Sequence, residues 1–576
     1  MTSPIDASAQ LQRSREALLL DVLREELGGL DKTSWAKLLP RIRWTDVAAG
    51  EALFREGDSA DAMYVVVSGR LRATRRDEEG ERTIGEISRG ETVGEMALLT
   101  GGTRSATVQA MRDCVLAGLD TPAFAELARL SPEAVMHVAR VQFERLQRAN
   151  QPRKNRLRLS VAILAADPDC DAQDFARKLQ AAIDPRAHAL LVEPSAAPRG
   201  AGTDSDRQHR LTIWLNELET QAPVLIMPGD PRDPVWTRQC LHSADLVLML
   251  ARSGHRPAIP ENLIPPALRR LLVVVHSDGS TPPSGTAGAK EACAAAAHFH
   301  FREDSPADLS RLVRLLTGRA NGIAFAGGGA RSFAHLGVLR ALQEHGIPLD
   351  LAAGTSLGAI VAAGVSLDID LDDLMERFRI MVQVNPTKRD YLLIPRTSLL
   401  SGRKLDRLLP RLLPSVDIDD CWKAFACVSA NITNPGAHIH HTGPLIHALR
   451  ATVSIPGVFP PVVLPNGDLL VDGGVINNLP ADVVRDCGAG RIIACDQGTS
   501  KGGKKDTPSA IGIIMRSVIL HSDISSRTWR TEADLYFDSL VGNITLLEWH
   551  HFDLAVQRGY ENAKRVLENV DPADWQ

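Results

Sequence analysis

Nothing in this sequence looks like a disulfide framework or a zinc site. The eight cysteines (114, 170, 240, 293, 421, 427, 487 and 495) form no CxxC pair and keep no short regular spacing, so they read as buried free thiols. Long apolar runs are missing as well. No stretch approaches the roughly 18 to 20 uninterrupted apolar residues that cross a bilayer. The run Leu18-Leu19-Leu20 follows Asp6, Arg13, Arg15 and Glu16, which excludes the uncharged core of a signal peptide. The expectation is a cytoplasmic protein with no transmembrane segment, whose membrane contact is peripheral. A basic excess is also absent: the net charge is −5, so nucleic acid is not an expected partner. What is present is an ordinary globular balance, 44% hydrophobic and 23% charged. At 576 residues the chain is long enough for about three domains.

The most informative stretch is Gly354-Thr355-Ser356-Leu357-Gly358. It follows the apolar Leu351-Ala352-Ala353 and opens the small-residue segment Ala359 to Ala363, so it reads as strand, sharp turn, helix. Such an elbow exposes its central serine, and the flanking glycines leave room where a Cβ would collide with the neighbouring strand and helix.

Upstream, the strand candidate Gly322 to Ala326 leads into Gly327-Gly328-Gly329-Ala330-Arg331-Ser332 and then a helix carrying Phe333, Leu336, Leu339 and Leu342, with Gly346 and Pro348 as its stop. This glycine turn has three readings. It is nearly a dinucleotide fingerprint, with Asp350 about twenty residues on, although Ser332 replaces the third glycine. It could be a structural turn. Or its N–H groups form an oxyanion hole for an attack by Ser356, the reading that explains both glycine motifs together. Downstream, in Asp468-Leu469-Leu470-Val471-Asp472-Gly473-Gly474, an apolar strand delivers Asp472 to a tight turn, where its carboxylate could take the serine proton. Asp468 reads as a turn residue. Nothing around His521, His550 or His551 resembles the loop of a Ser-Asp-His enzyme, so a dyad fits better than a triad.

The first third differs. From about Trp44 to Leu119, short β-like runs alternate with Gly and acidic turns, as in a sandwich or barrel. Residues Val93 to Val108 resemble the phosphate-binding cassette of cyclic-nucleotide-binding domains, and the likeness extends over about residues 35 to 150, with the Gly69-Arg70-Leu71 turn and two helical segments after Thr121. It implies a site at Gly94, Glu95, Ala97, Arg104 and Ser105: N–H groups after Gly94 and the Arg104 guanidinium for the phosphate, Glu95 for the ribose. The competing reading is that Glu95 and Arg104 merely pair on the surface of a barrel that binds nothing. Thr103 stands where the cassette commonly has proline, and Ser105 leaves cAMP against cGMP open. The middle third alternates strand-like runs (Leu159 to Leu164, Val224 to Met227, Leu246 to Leu250, Leu271 to Val275) with helical patterns, an open doubly wound α/β region. No Walker signature follows its first strand. Ser277 to Gly288 reads as a flexible loop, and His298-Phe299-His300 and His438-Ile439-His440 as ordinary strands rather than metal sites.

The three ordered motifs, with the segment Ala451 to Pro461, are similar to the patatin-like phospholipase family, from about Gly322 to the C-terminus. The domain order, together with Trp236-Thr237-Arg238-Gln239-Cys240, resembles its neuropathy target esterase group, in a soluble bacterial form lacking the anchor of eukaryotic members. The boundaries implied are a helical segment at 1–34, the nucleotide domain at 35–150, the α/β middle at 151–318 and the patatin-like domain at 319–576. The resemblance implies a serine lipid acyl hydrolase acting on phospholipid or lysophospholipid. Ser356 and Asp472 would form the dyad, Gly354 and Gly358 the elbow, and Gly327, Gly328, Gly329 and Arg331 the oxyanion hole. No cofactor is implied for catalysis, and a cyclic nucleotide, cAMP or cGMP, is implied as regulator. The alternatives are a silent nucleotide- or lipid-binding module and a transacylase.

Overall fold

The computed structural model describes residues 36–130, 158–497 and 528–576, apart from a few short interruptions, together with residues 15, 16, 19 and 20. Most of the expected N-terminal helical segment and the second helical segment after Thr121 lie outside the described residues, as do all but the last residue of the basic run 151–158, whose composition reads as a linker, and the run 511–519, whose pattern reads as an amphipathic helix. The chain divides into two compact units. One comprises Met1–Arg252, Arg256–Val273 and Ala292–Ala297, the other Ser253–His255, Val274–Glu291 and His298–Gln576.

The first unit begins with two four-stranded antiparallel sheets. One orders Arg43–Val47, Cys114–Asp120, Ala62–Ser68 and Thr92–Val93, the other Ala52–Phe54, Thr107–Ala110, Arg70–Asp77 and Gly80–Ser88. Alternation along Ala62–Ser68 shows why they pack as layers: Met63, Val65 and Val67 enter one apolar cluster, whereas Val66 enters another with Leu71 and Leu116, the period of two that a strand imposes. Beyond it, Ala189–Leu191, Val224–Pro228, Leu159–Ala165 and Leu246–Arg252 lie parallel in that order. The first strand in sequence is therefore interior and the chain winds outward from it both ways, the doubly wound arrangement. Val161, Ala162 and Ile163 are all fully buried, as a strand covered on both faces requires. A charged seam ties barrel to sheet within this unit. The Arg112 guanidinium donates to Glu219 and lies 3.2 Å from Asp245. Ser160 donates from Oγ to Glu219 at 2.8 Å and from its N–H to Asp245 at 2.9 Å.

The second unit holds an eight-stranded sheet ordered Val462–Val463, Leu469–Asp472, Ala424–Asn431, Leu351–Thr355, Asn321–Phe325, Arg491–Asp496 and Leu535–Asp538, with Gly436–His440 paired to Ala424–Asn431. The pairs from Ala424–Asn431 through Leu535–Asp538 are parallel. Helix Leu357–Ser366 is apolar nearly all round and buried, the pattern of a helix enclosed in a core. Helix Ala334–Glu344 packs against Phe552–Leu567, touching at Gly337 and Gly559. The expected strands at 159–164, 224–227, 246–250 and 271–275 are all present, and Phe552–Leu567 forms a helix.

Three sequence expectations are settled by contacts. The stretch from Ser277 to Gly288 is not wholly loop: its last residues begin the helix Thr286–Ala292, where the Thr286 N–H donates to Asp420 at 3.0 Å. His300 uses both ring nitrogens, at 3.0 Å from His276 Nε2 and 3.0 Å from the Asp419 carbonyl, and burial holds it neutral. Asp350 is buried and receives two bonds from Arg314, at 2.6 and 2.8 Å, and one from the Asn321 N–H at 2.8 Å. A carboxylate so occupied is unavailable to a ribose, which removes the dinucleotide reading of the glycine loop.

Candidate active site

Ser356 sits between the strand Leu351–Thr355 and the helix Leu357–Ser366 with φ 54° and ψ −130°. A non-glycine residue at such a φ carries strain of about 1–3 kcal/mol, sustained here by close packing on both sides. A Cβ on Gly354 would lie 2.5 Å from the Gly358 carbonyl, and one on Gly358 would lie 2.5 Å from the Phe325 carbonyl oxygen. Only hydrogen fits at either position.

The Ser356 hydroxyl donates to Asp472 Oδ2 at 2.6 Å. Asp472 ends the strand Leu469–Asp472, and its other oxygen accepts the Gly474 N–H at 2.8 Å. The carboxyl is buried, and burial lifts it to about 6 against the pull of these two hydrogen bonds. Among the described residues no histidine is bonded to Ser356 or Asp472. The glycine loop adjoins the serine: a Cβ on Gly327 would stand 2.9 Å from Ser356 Cβ.

The four expected oxyanion donors are not equivalent. Gly327 N–H donates to the Asn478 carbonyl at 3.2 Å, and Arg331 N–H to the Gly328 carbonyl at 3.2 Å inside the 3₁₀ turn Gly329–Phe333. The N–H groups of Gly328 and Gly329 have no acceptor among the described residues. Gly329 takes φ +54°, and a Cβ there would meet the Leu546 carbonyl oxygen at 2.2 Å. Ser332 acts as a brace: its hydroxyl donates to Ala326 O at 3.3 Å and accepts from Gln497 Nε2 at 2.5 Å. Arg331 reaches the Gln497 carbonyl at 3.1 Å.

Several positioning residues had no role assigned from sequence. Thr452 Oγ1 accepts the Ser356 N–H at 3.0 Å and donates to the Val428 carbonyl at 2.5 Å. The Ser454 carbonyl accepts the Asp472 N–H at 2.9 Å. Asn478 Nδ2 holds the Gly327 carbonyl at 3.1 Å, and Gln497 Nε2 holds Ala326 O at 2.9 Å. Thr452 and Ser454 lie in the segment already singled out for shaping the site. Asn478 and Gln497 carried no signal. His440, whose Nε2 is 2.9 Å from Ser429 Oγ, serves the sheet.

In the barrel, Gly94 precedes the helix Glu95–Thr100 at φ +83°. Glu95, Ala97 and Arg104 are buried and Ser105 is exposed. Arg104 donates to the carbonyls of Gly94 at 2.9 Å and Ala62 at 2.7 Å, lies 3.3 Å from Asp61 and stacks 4.1 Å from the Phe54 ring centroid. Its guanidinium is thus buried, bonded to two backbone carbonyls and to the exposed Asp61.

Comparison with known proteins follows these divisions. A family model described as patatin-like phospholipase matches residues 323–485, one described as cyclic nucleotide-binding domain matches 44–130, and one described as Neuropathy Target Esterase family P-loop like domain matches 158–311. The last sits on the doubly wound sheet, yet the turn after its first strand reads Asp167-Pro168-Asp169-Cys170-Asp171, acidic where a phosphate loop is rich in glycine and ends in lysine. The class is therefore that of chains carrying a patatin-like phospholipase domain behind a cyclic nucleotide-binding domain. More particularly, the middle match carries the name of the neuropathy target esterase family, and among the relatives most similar to the chain are patatin-like phospholipase domain proteins. Patatin-like phospholipase domain-containing protein 7 of Rattus norvegicus is 31% identical over 520 residues, covering 80% of this chain and 38% of that protein. Patatin-like phospholipase domain-containing protein 6 of Homo sapiens is 30% identical with the same coverage. Lysophospholipase NTE1 of Mycosarcoma maydis is 26% identical, covering 92% and 34%. The chain thus spans little more than a third of the length of these relatives.

Proposed function

We propose that the chain is a serine acyl hydrolase of phospholipids or lysophospholipids. The observation that carries this reading is the 2.6 Å bond from Ser356 to Asp472 at a strained elbow, beside two backbone N–H groups with no acceptor among the described residues. Ser356 Oγ attacks the ester carbonyl as its proton passes to Asp472 Oδ2. The carbonyl oxygen, now negative, is held by the N–H groups of Gly328 and Gly329. Protonated Asp472 then gives its proton to the departing alcohol, and the ester oxygen leaves. Water, deprotonated by the same carboxylate, releases the fatty acid and restores Ser356. A carboxyl raised to about 6 is ionised at neutral pH yet more basic than an ordinary aspartate, which suits a base working without histidine. The two side chains supply nucleophile and base, so these steps ask for no cofactor.

The lipid substrate is supported by the family and by the relative named a lysophospholipase. No helix among the described residues is long and apolar enough to cross a membrane, consistent with peripheral contact. The domains proposed are 35–150, 151–318 and 319–576. The first would take cAMP or cGMP through Arg104 as a regulator. A fluorophosphonate probe should label the wild type and leave Ser356→Ala unlabelled, with hydrolysis of lysophospholipid lost in parallel. Equal turnover in both proteins would remove the reading. Calorimetry with each nucleotide tests the regulator, and no heat with either would discard it.

A further inference from the structure

The three most exposed large apolar side chains among the described residues of the second unit, Leu393, Tyr391 and Ile394, lie in one run with Leu392. Tyr391 is 73%, Leu392 36%, Leu393 98% and Ile394 68% exposed, and scattered single residues, not such runs, are the norm on a soluble surface. The run is anchored to residues 399–400, since Tyr391 bridges Leu400 and the Leu392 N–H donates to the Leu399 carbonyl at 2.9 Å.

Charge identifies what covers it. Residues 386–412 contain seven basic side chains (Lys388, Arg389, Arg396, Arg403, Lys404, Arg407, Arg411) against Asp390 and Asp406, in a chain of net charge −5. Both acids are engaged internally, Asp390 by the Ser401 hydroxyl at 2.6 Å and Asp406 by Arg450 at 2.6 Å. In the helix Arg403–Leu412, Leu405, Leu408, Leu409 and Leu412 face inward. Arg403, Arg407 and Arg411, four residues apart, form an exposed stripe, and none has an acidic partner among the described residues. An apolar run containing an exposed tyrosine, next to a basic stripe, matches the interface of an anionic bilayer, which takes apolar side chains below its headgroups and cations among them.

We propose that the apolar run 391–394 and the helix Arg403–Leu412 dock the protein on an anionic lipid bilayer. The lipid occupant rests on the hydrolase reading above. The residues that anchor the run also lead to the site. Ser398 bridges Gly457, and the N–H groups of Leu399 and Leu400 donate to the carbonyls of Gly457 and Val458, each at 2.9 Å. The segment they grip carries Thr452 and Ser454, which hold the backbone N–H of Ser356 and of Asp472. Docking therefore bears on the loop that positions both reacting side chains.

The test is flotation of the full chain carrying Ser356→Ala, so that vesicles stay intact, with vesicles of phosphatidylcholine alone and of equal parts phosphatidylcholine and phosphatidylglycerol. Flotation with the anionic vesicles is expected. Adding Leu393→Asp and Ile394→Asp should cut partitioning at least about tenfold, and Arg403→Glu with Arg407→Glu should weaken it on anionic vesicles only, each at an unchanged melting temperature. No flotation, or flotation undiminished by the aspartates, overturns the proposal. So does a sedimenting dimer that the aspartates dissociate, which would assign the patch to a second copy. Fluorophosphonate labelling of wild type is read separately: its absence would sink the hydrolase and not the docking surface, and labelling without flotation the reverse.

Discussion

Replacing Asp472 by asparagine should abolish turnover and make the protein more stable. The buried carboxyl titrates at about 6 instead of 3.8, chiefly because its charge has been taken out of water. At about 1.4 kcal/mol per pH unit, holding it ionised at neutral pH costs on the order of 3 kcal/mol. The sign follows from proton counting. Between pH 3.8 and about 6 the folded chain keeps a proton that the unfolded chain has released, so stability falls as pH rises through this window and the loss is complete above it. Asparagine carries no charge, and its amide can donate to Ser356 Oγ while its carbonyl accepts from Gly474. Asp472→Asn should therefore raise the stability of the second unit by about 3 kcal/mol at pH 7, and the gain should vanish below about pH 4. Activity runs the other way: the rate of fluorophosphonate labelling in wild type should climb with pH on an apparent pKa of about 6 and then level off. Urea denaturation of both proteins at several pH values, alongside the labelling profile, checks the argument. A variant less stable than wild type at pH 7, or a gain that does not depend on pH, would refute it.

Thr452→Val removes the acceptor of the Ser356 N–H and leaves a buried donor unpaired, a penalty of about 1–3 kcal/mol. Labelling should slow by about tenfold or more, and Thr452→Ser should restore it. Gly358→Ala pushes a methyl group against the Phe325 carbonyl at 2.5 Å, so destabilisation on the order of 4 kcal/mol is expected, read as lost soluble yield or a lowered melting temperature. Arg112→Met takes the guanidinium from Glu219 and leaves Asp245 to Arg70, 3.5 Å away, in the seam of the first unit, which should cost about 3 kcal/mol. An unchanged denaturation midpoint for that unit would contradict the assigned pairing.

The strands, the elbow and the Asp-Gly-Gly turn were legible because each follows from local pattern: apolar runs of the right length, glycines at fixed offsets and a carboxylate at a strand end. The helix Phe552–Leu567 rests on the same kind of local signal, apolar residues recurring at helical spacing. What escaped was made by contacts far apart in sequence. Asn478 holds a residue 151 positions earlier and Gln497 one 171 earlier, and neither pairing leaves a periodic trace. The availability of the loop N–H groups was equally hidden. Four glycine-loop donors look alike in sequence, and only the fold commits the Gly327 N–H to the Asn478 carbonyl and, through the turn Gly329–Phe333, the Arg331 N–H to the Gly328 carbonyl. Ser332, which in sequence only breaks the dinucleotide fingerprint, cross-links the loop to Ala326 and Gln497.

The position of Arg104 bears on how the first unit could signal. Because its guanidinium already serves the carbonyls of Gly94 and Ala62, a phosphate that recruited it would be trading one set of hydrogen bonds for another, and the net affinity would be the small difference between two large sums. Such a trade leaves the barrel folded whether or not nucleotide is bound. It also places the informative event at Ala62 and Gly94, whose carbonyls must find new donors when the arginine turns away, so a ligand's arrival would be written first into the strand Ala62–Ser68 and the start of the helix Glu95–Thr100.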